Sequence, residues 1–184
     1  MVALVGICGS LRKASLNRAL LRAVAETLPE GTTMDLVPAN GIDLPIFNSD
    51  HAGEPEAVIS LKAAIAAADG VVFAVPEYNY SIPGGLKNAL DWISRPPPKS
   101  PLRGKPCALV GAASGMSGTI RAQTHMRNIL VYSDAPCLLQ PEILIPRAQD
   151  RFDEAGTLTD ESTRQLLQRF GIQLAAFVAR NKLG

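Results

Sequence analysis

The chain has no long apolar run. Stretches such as Val2–Cys8 and residues 70–75 end in glycine, proline or charge after a handful of positions, far short of the roughly 20 residues that a membrane-spanning helix needs. The opening residues carry no basic segment ahead of a hydrophobic stretch, which argues against a secretory leader. Cysteine is sparse and odd in number: Cys8, Cys107 and Cys137 lie far apart, each in or beside an apolar run. That spacing gives neither a disulfide framework nor a zinc site. It favours reduced thiols used for packing, with a redox role for Cys8 the lesser reading, and a cytoplasmic location. Net charge is also nearly absent. Lys and Arg total 18 against 17 Asp and Glu, a balance of +1. Neither nucleic acid nor an anionic membrane is therefore an expected partner of the molecule as a whole.

Histidine is limited to His51 and His125, and neither lies in a motif. Both are expected at a surface or interface. No Ser/His/Asp set, no pair of acid–base carboxylates and no cluster of metal ligands stands out, so no catalytic side chain and no metal ligand is assigned. The fingerprints G-x-x-x-x-G-K-[ST] and G-x-G-x-x-G are both missing, which argues against an ATPase and against a dinucleotide-binding Rossmann domain. There is no internal repeat.

What the chain does have is an ordinary globular composition, 47% hydrophobic and 19% charged over 184 residues. A single domain, 1–184, is expected. Apolar runs at Val2–Cys8, 33–37, 70–75, Cys107–Ala112 and 136–140 read as strands. Helical spacing appears at 15–28, 56–68, 83–93, 119–132 and 160–182. Residues 38–55 read as a loop anchored by Leu44, Ile46 and Phe47, and residues 95–106, rich in proline and basic side chains, as an exposed connection. Alternating strands and helices, with strands apolar on both faces, predict an α/β fold: a parallel sheet covered by helices on both sides. In such a sheet ligands bind beyond the carboxyl ends of the strands, where the strand order reverses. The loops 9–15, 76–82 and 113–118 should then line one site.

The first of these loops, G-S-L-R-K-A-S-L-N at positions 9–17, joins a strand to a helix. A helix start offers unpaired N–H groups and partial positive charge, which a phosphate satisfies. Ser10, Ser15 and Asn17 can add hydroxyl and amide donors, and Arg12 adds full charge. The first turn, Leu16 to Ala19, carries no acidic residue where a helix normally gains from one. Two readings stand side by side: an anion supplied by a ligand, or a plain Ser15 cap with Arg12 in solvent. The second loop clusters Tyr78, Asn79 and Tyr80, which offer flat faces and polar tips. Gly84 and Gly85 follow, where the backbone can approach a ligand or helix closely. The third loop, Ala113-Ser114-Gly115-Met116-Ser117-Gly118, is small enough to lie against a flat ligand.

Together these segments resemble the NAD(P)H-dependent FMN reductases, a family with quinone, chromate and azo reductases. The matches are G-S-L-R-K-A-S-L-N at 9–17 and P-E-Y-N-Y-S-I-P-G-G-L-K-N-A-L-D-W at 76–92, supported by G-K-P at 104–106 and F-D-E-A-G-T-L at 152–158. The resemblance implies a flavodoxin-like three-layer sandwich with strand order 2-1-3-4-5. It also implies bound FMN that passes electrons from NADPH or NADH to a small acceptor. Ser10, Arg12, Ser15, Leu16 and Asn17 would hold the FMN phosphate. Pro76, Glu77, Tyr78, Asn79 and Tyr80 would border the ribityl chain and ring, and Ser114 and Gly115 would approach from the third loop. The cofactor would carry the chemistry. A homodimer or homotetramer is implied, with contacts through helices 83–93 and 119–132. Trp92 and Met126, at the margins of those helices' apolar faces, fit either a partner surface or the core. Arg121, Gln123, His125 and Arg127 fit an interface or a solvated face. A flavodoxin-type electron carrier without its own NAD(P)H oxidation is the rival reading. Its usual acidity and third-loop aromatics are absent here.

Overall fold

A computed structural model describes residues 1–50 and 53–182. The strands are β1 (Val2–Cys8), β2 (Thr32–Leu36), β3 (Gly70–Ala74), β4 (Cys107–Ala112) and β5 (Ile143–Ile145). The helices are α1 (Leu16–Glu26), α2 (Glu56–Ala67), α3 (Gly84–Ile93), α4 (Ile120–Tyr132) and α5 (Glu161–Asn181). The strands form one sheet in the order β2-β1-β3-β4-β5, every neighbour parallel. This is the flavodoxin-like arrangement expected from the sequence.

Side chains alternate across a strand, so each central strand feeds two cores. Leu4, Cys8, Val72, Ala74, Ala108 and Val110 face one side, where Leu20 and Val24 of α1 and Leu167 and Phe170 of α5 meet them. Val5, Ile7, Val71, Phe73 and Leu109 face the other, against Leu61 and Ile65 of α2, Leu86 and Leu90 of α3, and Met126 and Leu130 of α4. Burial on both faces is why β1, β3 and β4 read as unbroken apolar runs. Edge strand β2 shows the opposite pattern, with Thr33 and Asp35 exposed between half-buried neighbours. Burying a side chain such as Leu20 or Leu21 is worth about 1.5–3 kcal/mol. Packing of this kind fixes α1 whatever happens at its end.

Several expectations need correction. The last strand is not 136–140 but Ile143–Ile145. Residues 136–138 do lie beside the start of β4, where Cys107 N–H donates to Pro136 O at 2.7 Å and Leu138 N–H to Cys107 O at 2.8 Å. Pro141 has no N–H to continue the ladder, and pairing resumes only where Ile143 meets Val110. Ile46 is exposed, leaving Leu44 and Phe47 as the half-buried anchors of the 38–55 loop. Trp92 and Met126 belong to the interior. Trp92 packs edge-on to Phe47 at 5.0 Å and donates its indole N–H to Pro45 O at 2.8 Å. Gln123 is buried as well, its amide donating to Thr119 Oγ1 and Ile143 O. Connection 95–106 is exposed at Pro96–Lys99 but pinned by buried Leu102 and Pro106. Cys8 and Cys107 are buried free thiols and Cys137 is half-buried. Burial pushes the Cys107 thiol well above its ordinary range. His51 lies outside the described residues. Among the described residues, no helix is long and apolar enough to cross a membrane.

Candidate functional site

The sheet order reverses between β1 and β3, and a cleft of about 180 Å³ opens beyond their carboxyl ends. Its lining draws on all three expected loops: Ser10, Arg12, Ser15, Leu16 and Asn17 from the first, Pro76, Glu77 and Tyr78 from the second, and Ala112, Ala113 and Ser114 from the end of β4 and the third.

Gly9 explains how the first two loops come together. A Cβ there would lie 2.8 Å from Pro76 Cδ and 2.9 Å from Leu86 Cδ2, so only glycine lets β1 leave the sheet so close to the second loop. After it, Ser10 Oγ accepts from the Arg12 N–H at 3.3 Å and Ser15 Oγ accepts from the Arg18 N–H at 3.3 Å. Ser15 is therefore the N-cap of α1. Its own O–H remains a donor, so capping and anion binding are compatible rather than rival roles. The N–H groups of Leu16 and Asn17 sit in the first turn, beyond reach of the helix's own carbonyls. No acidic residue occupies that turn, and Arg12 stands exposed at the rim.

Asn17 lines the cleft but spends its side chain elsewhere. Its amide N–H donates to Ala112 O at 2.8 Å, and its Oδ1 accepts from the Ala112 N–H at 3.0 Å. This buried bidentate strut fixes the start of α1 against the end of β4. What Asn17 offers an anion is its backbone N–H, not its amide.

The second loop ends in a tight turn. Tyr78 and Ser81 exchange N–H···O bonds of 2.9 and 3.0 Å, and the corner residues Asn79 and Tyr80 have φ of 51° and 63°. Non-glycine residues seldom take this left-handed conformation, and here the reciprocal bonds hold it. Tyr78 lines the cleft and is half exposed, whereas Asn79 and Tyr80 form the corner outside the lining. The Tyr80 ring lies 4.2 Å from the Arg121 guanidinium. His125 Nδ1 is 3.0 Å from Ser81 Oγ. Gly84 and Gly85 are not close-approach positions within the chain: a Cβ at Gly84 would meet nothing within 4 Å, and one at Gly85 only the Leu11 side chain at 3.7 Å.

Glu77 turns inward. One carboxylate oxygen accepts from the Arg121 N–H at 3.0 Å and the Ala122 N–H at 3.3 Å, and the other from the Arg121 guanidinium at 3.4 Å. It caps α4, whose N-cap residue Thr119 accepts none of the helix's backbone N–H groups with its side chain. The sequence carries a trace of this role, since the first turn of α4 also lacks an acid. The distant partner has no local signature. The third loop is held by the Ala113 N–H on Ile145 O and by the Arg147 N–H on Gly115 O. That leaves Ser114 in the lining and Gly115 just beyond it. Ala112 and Ala113 carry no signal in the sequence, because their contribution is backbone.

A family model described as NADPH-dependent FMN reductase matches residues 2–150. The chain belongs to this family. Among its relatives is an NAD(P)H-dependent FMN reductase of Pseudomonas aeruginosa, 45% identical over 170 residues that span 91% of this chain and 90% of the relative. A 2-hydroxy-1,4-benzoquinone reductase of a Burkholderia species is 42% identical over 173 residues, 94% of this chain and 93% of the relative. Among solved structures, FerB, a flavoenzyme NAD(P)H:(acceptor) oxidoreductase from Paracoccus denitrificans, matches with a TM-score of 0.90 and 33% identity over 100% of both chains. This member of the FMN reductases is thus an oxidoreductase of flavodoxin-like fold that works with FMN and a nicotinamide donor. The family, fold and cofactors expected from the sequence are all borne out.

Proposed function

We propose that the protein passes electrons from NADPH or NADH, through FMN held in the β1–β3 cleft, to small acceptors of quinone type. One observation carries this reading: the start of α1 is a finished anion cradle without an anion of its own. Leu16 and Asn17 with their N–H groups, Ser10 and Ser15 with their hydroxyls and Arg12 with its charge line the same cleft, and the first turn of α1 carries no acidic side chain. This donor set fits the phosphate of FMN.

When bound, FMN would supply the two-electron redox chemistry; the protein supplies position and surroundings. Pro76 and the backbone of Glu77 wall one side, and Tyr78 offers a flat half-exposed face where a planar donor or acceptor can lie. Ser114 borders the cleft with a small side chain, and Gly115 follows just beyond it, its carbonyl held by the Arg147 N–H. Asn79 and Tyr80 act through the turn that aims Tyr78. No side chain is assigned a proton-transfer role.

The chain would work as a single cytoplasmic domain, which its three free cysteines support. We also propose a homodimer or homotetramer. With Trp92, Met126 and Gln123 taken into the core, α4 still exposes Ile120 at its start and Val131 and Tyr132 at its end, apolar side chains that a second copy could cover.

The deciding experiment is an absorption spectrum of the purified protein after addition of FMN, followed by stopped-flow mixing with NADPH and NADH. Bound flavin bleached by either nucleotide and recoloured by a quinone is the expected result. Failure to retain FMN at saturating concentration would sink the proposal. Retention without reduction by either nucleotide would favour an electron carrier instead.

A further inference from the structure

The start of α1 lines the cleft and carries no acid, and a further helix start lies one side chain behind the lining. The second, at α4, is closed from a distance by Glu77, which lines the cleft and is 10% exposed in its side chain. Its carboxylate takes the N–H groups of Arg121 and Ala122 and the Arg121 guanidinium. Arg121 in turn covers the Tyr80 ring of the turn that carries Tyr78. Thus the positive end of α4 and one full cation stand beside the cleft, offset by a single carboxylate.

We propose that Glu77 sets the reduction potential of the cofactor held in this cleft, with Arg121 as its counterweight. The proposal rests on the reading of the cleft as the FMN site. A bound flavin that takes up two electrons and one proton gains one negative charge, so a nearby positive potential favours the reduced form and a negative one disfavours it. Without the Glu77 charge, the end of α4 and Arg121 would act on the cleft uncompensated, and the bound group would become easier to reduce. Without the Arg121 charge, Glu77 would be under-compensated, and the group would become harder to reduce. Glu77 is a positioning and charge-setting residue; it takes no part in proton transfer.

The two substitutions therefore predict opposite shifts, which a role confined to holding α4 in place does not. Glu77→Gln keeps an acceptor oxygen for the Arg121 and Ala122 N–H groups while removing the charge. Arg121→Met keeps the backbone N–H and the length of the side chain. FMN midpoint potentials would be measured by dye-equilibrated titration at one pH, alongside dissociation constants for oxidised and reduced FMN. Glu77→Gln should raise the preference for reduced over oxidised FMN about tenfold, equivalent to about 30 mV for a two-electron couple. Arg121→Met should lower it by a smaller factor, since that side chain is half exposed and screened. Shifts of the same sign, or no shift while both variants hold FMN, overturn the proposal. If Glu77→Gln fails to hold FMN, the sign for Arg121→Met decides alone: a fall supports the proposal, and a rise or no change overturns it. A wild-type protein that binds no FMN overturns this inference and the proposed function together, whereas normal FMN binding with unmoved potentials overturns this one only.

Discussion

α1 begins in the lining of the cleft and α4 one side chain behind it, yet their ends are finished in opposite ways. At α1 a neutral serine caps the helix and the first turn is free of acids. At α4 the cap residue's side chain takes no backbone N–H of the helix, and a carboxylate 44 residues away takes them instead. Both ends carry the same partial positive charge. One is satisfied within the chain and the other is left for something outside it. Helix α5 gives a third case: its own Asp160 accepts from the Thr163 N–H at 2.7 Å, far from the cleft lining. Glu56 opens α2, whereas α3 begins behind Pro83 without an acid; of the two acid-free starts, α1 is the one that lines the cleft.

The sharpest way to break this contrast is to give α1 its own acid. Ser15→Asp should weaken FMN binding by about a thousandfold, because two like charges about 4 Å apart repel by about 4 kcal/mol at an effective dielectric near 20. The FMN-free protein should be no less stable, since aspartate is a strong N-cap. Titration calorimetry with FMN and thermal melts of the FMN-free protein would check both halves. Asn17→Ala comes next. It strips two buried hydrogen bonds from Ala112 and should lower unfolding free energy by about 2–4 kcal/mol, read by urea denaturation. A loss of FMN affinity with unchanged stability would contradict the strut. Arg12→Ala should weaken FMN about 10- to 100-fold, the worth of a charge-assisted hydrogen bond, with no change in melting temperature. An unchanged flavin content after purification would remove Arg12 from the cradle.

The smallest effect is expected at α5. Asp160→Ala should cost about 1 kcal/mol at neutral pH. Hydrogen bonds from the hydroxyls of Thr163 and Ser162 and from the Thr163 N–H hold the Asp160 carboxyl far below its ordinary range. A carboxyl depressed on folding adds stability above its unfolded value, near pH 4, and loses it as pH falls toward the folded value. The wild-type protein should therefore lose its advantage over Asp160→Ala below about pH 4, seen in melts across an acid series.

Much of the fold is legible because its two-sided strands are chemically unmistakable: β1, β3 and β4 announce themselves as runs without polar residues. β5 escapes a sequence reading because a three-residue strand beside Pro141 and Pro146 carries little periodicity, while the apolar stretch before it pairs only at its start. The end of the cleft proposed to take the phosphate is readable from what the first turn of α1 omits. The inward turn of Glu77 and the engagement of Asn17 with Ala112 are not, because both join residues distant along the chain. The same holds for Trp92, whose outward position on its own helix hides a cover formed by Phe47 and Pro45 from another loop.

The left-handed corner at Asn79 and Tyr80 has a consequence for how such an enzyme diversifies. Locked by reciprocal bonds and by Arg121 stacking, it behaves as a rigid finger with Tyr78 as its exchangeable tip. Under the proposed reading, replacing the tip would alter what the mouth of the cleft welcomes and leave the first-loop residues Ser10, Arg12 and Ser15 in place. On that reading, acceptor range would drift by single substitutions while the prosthetic group kept its seat.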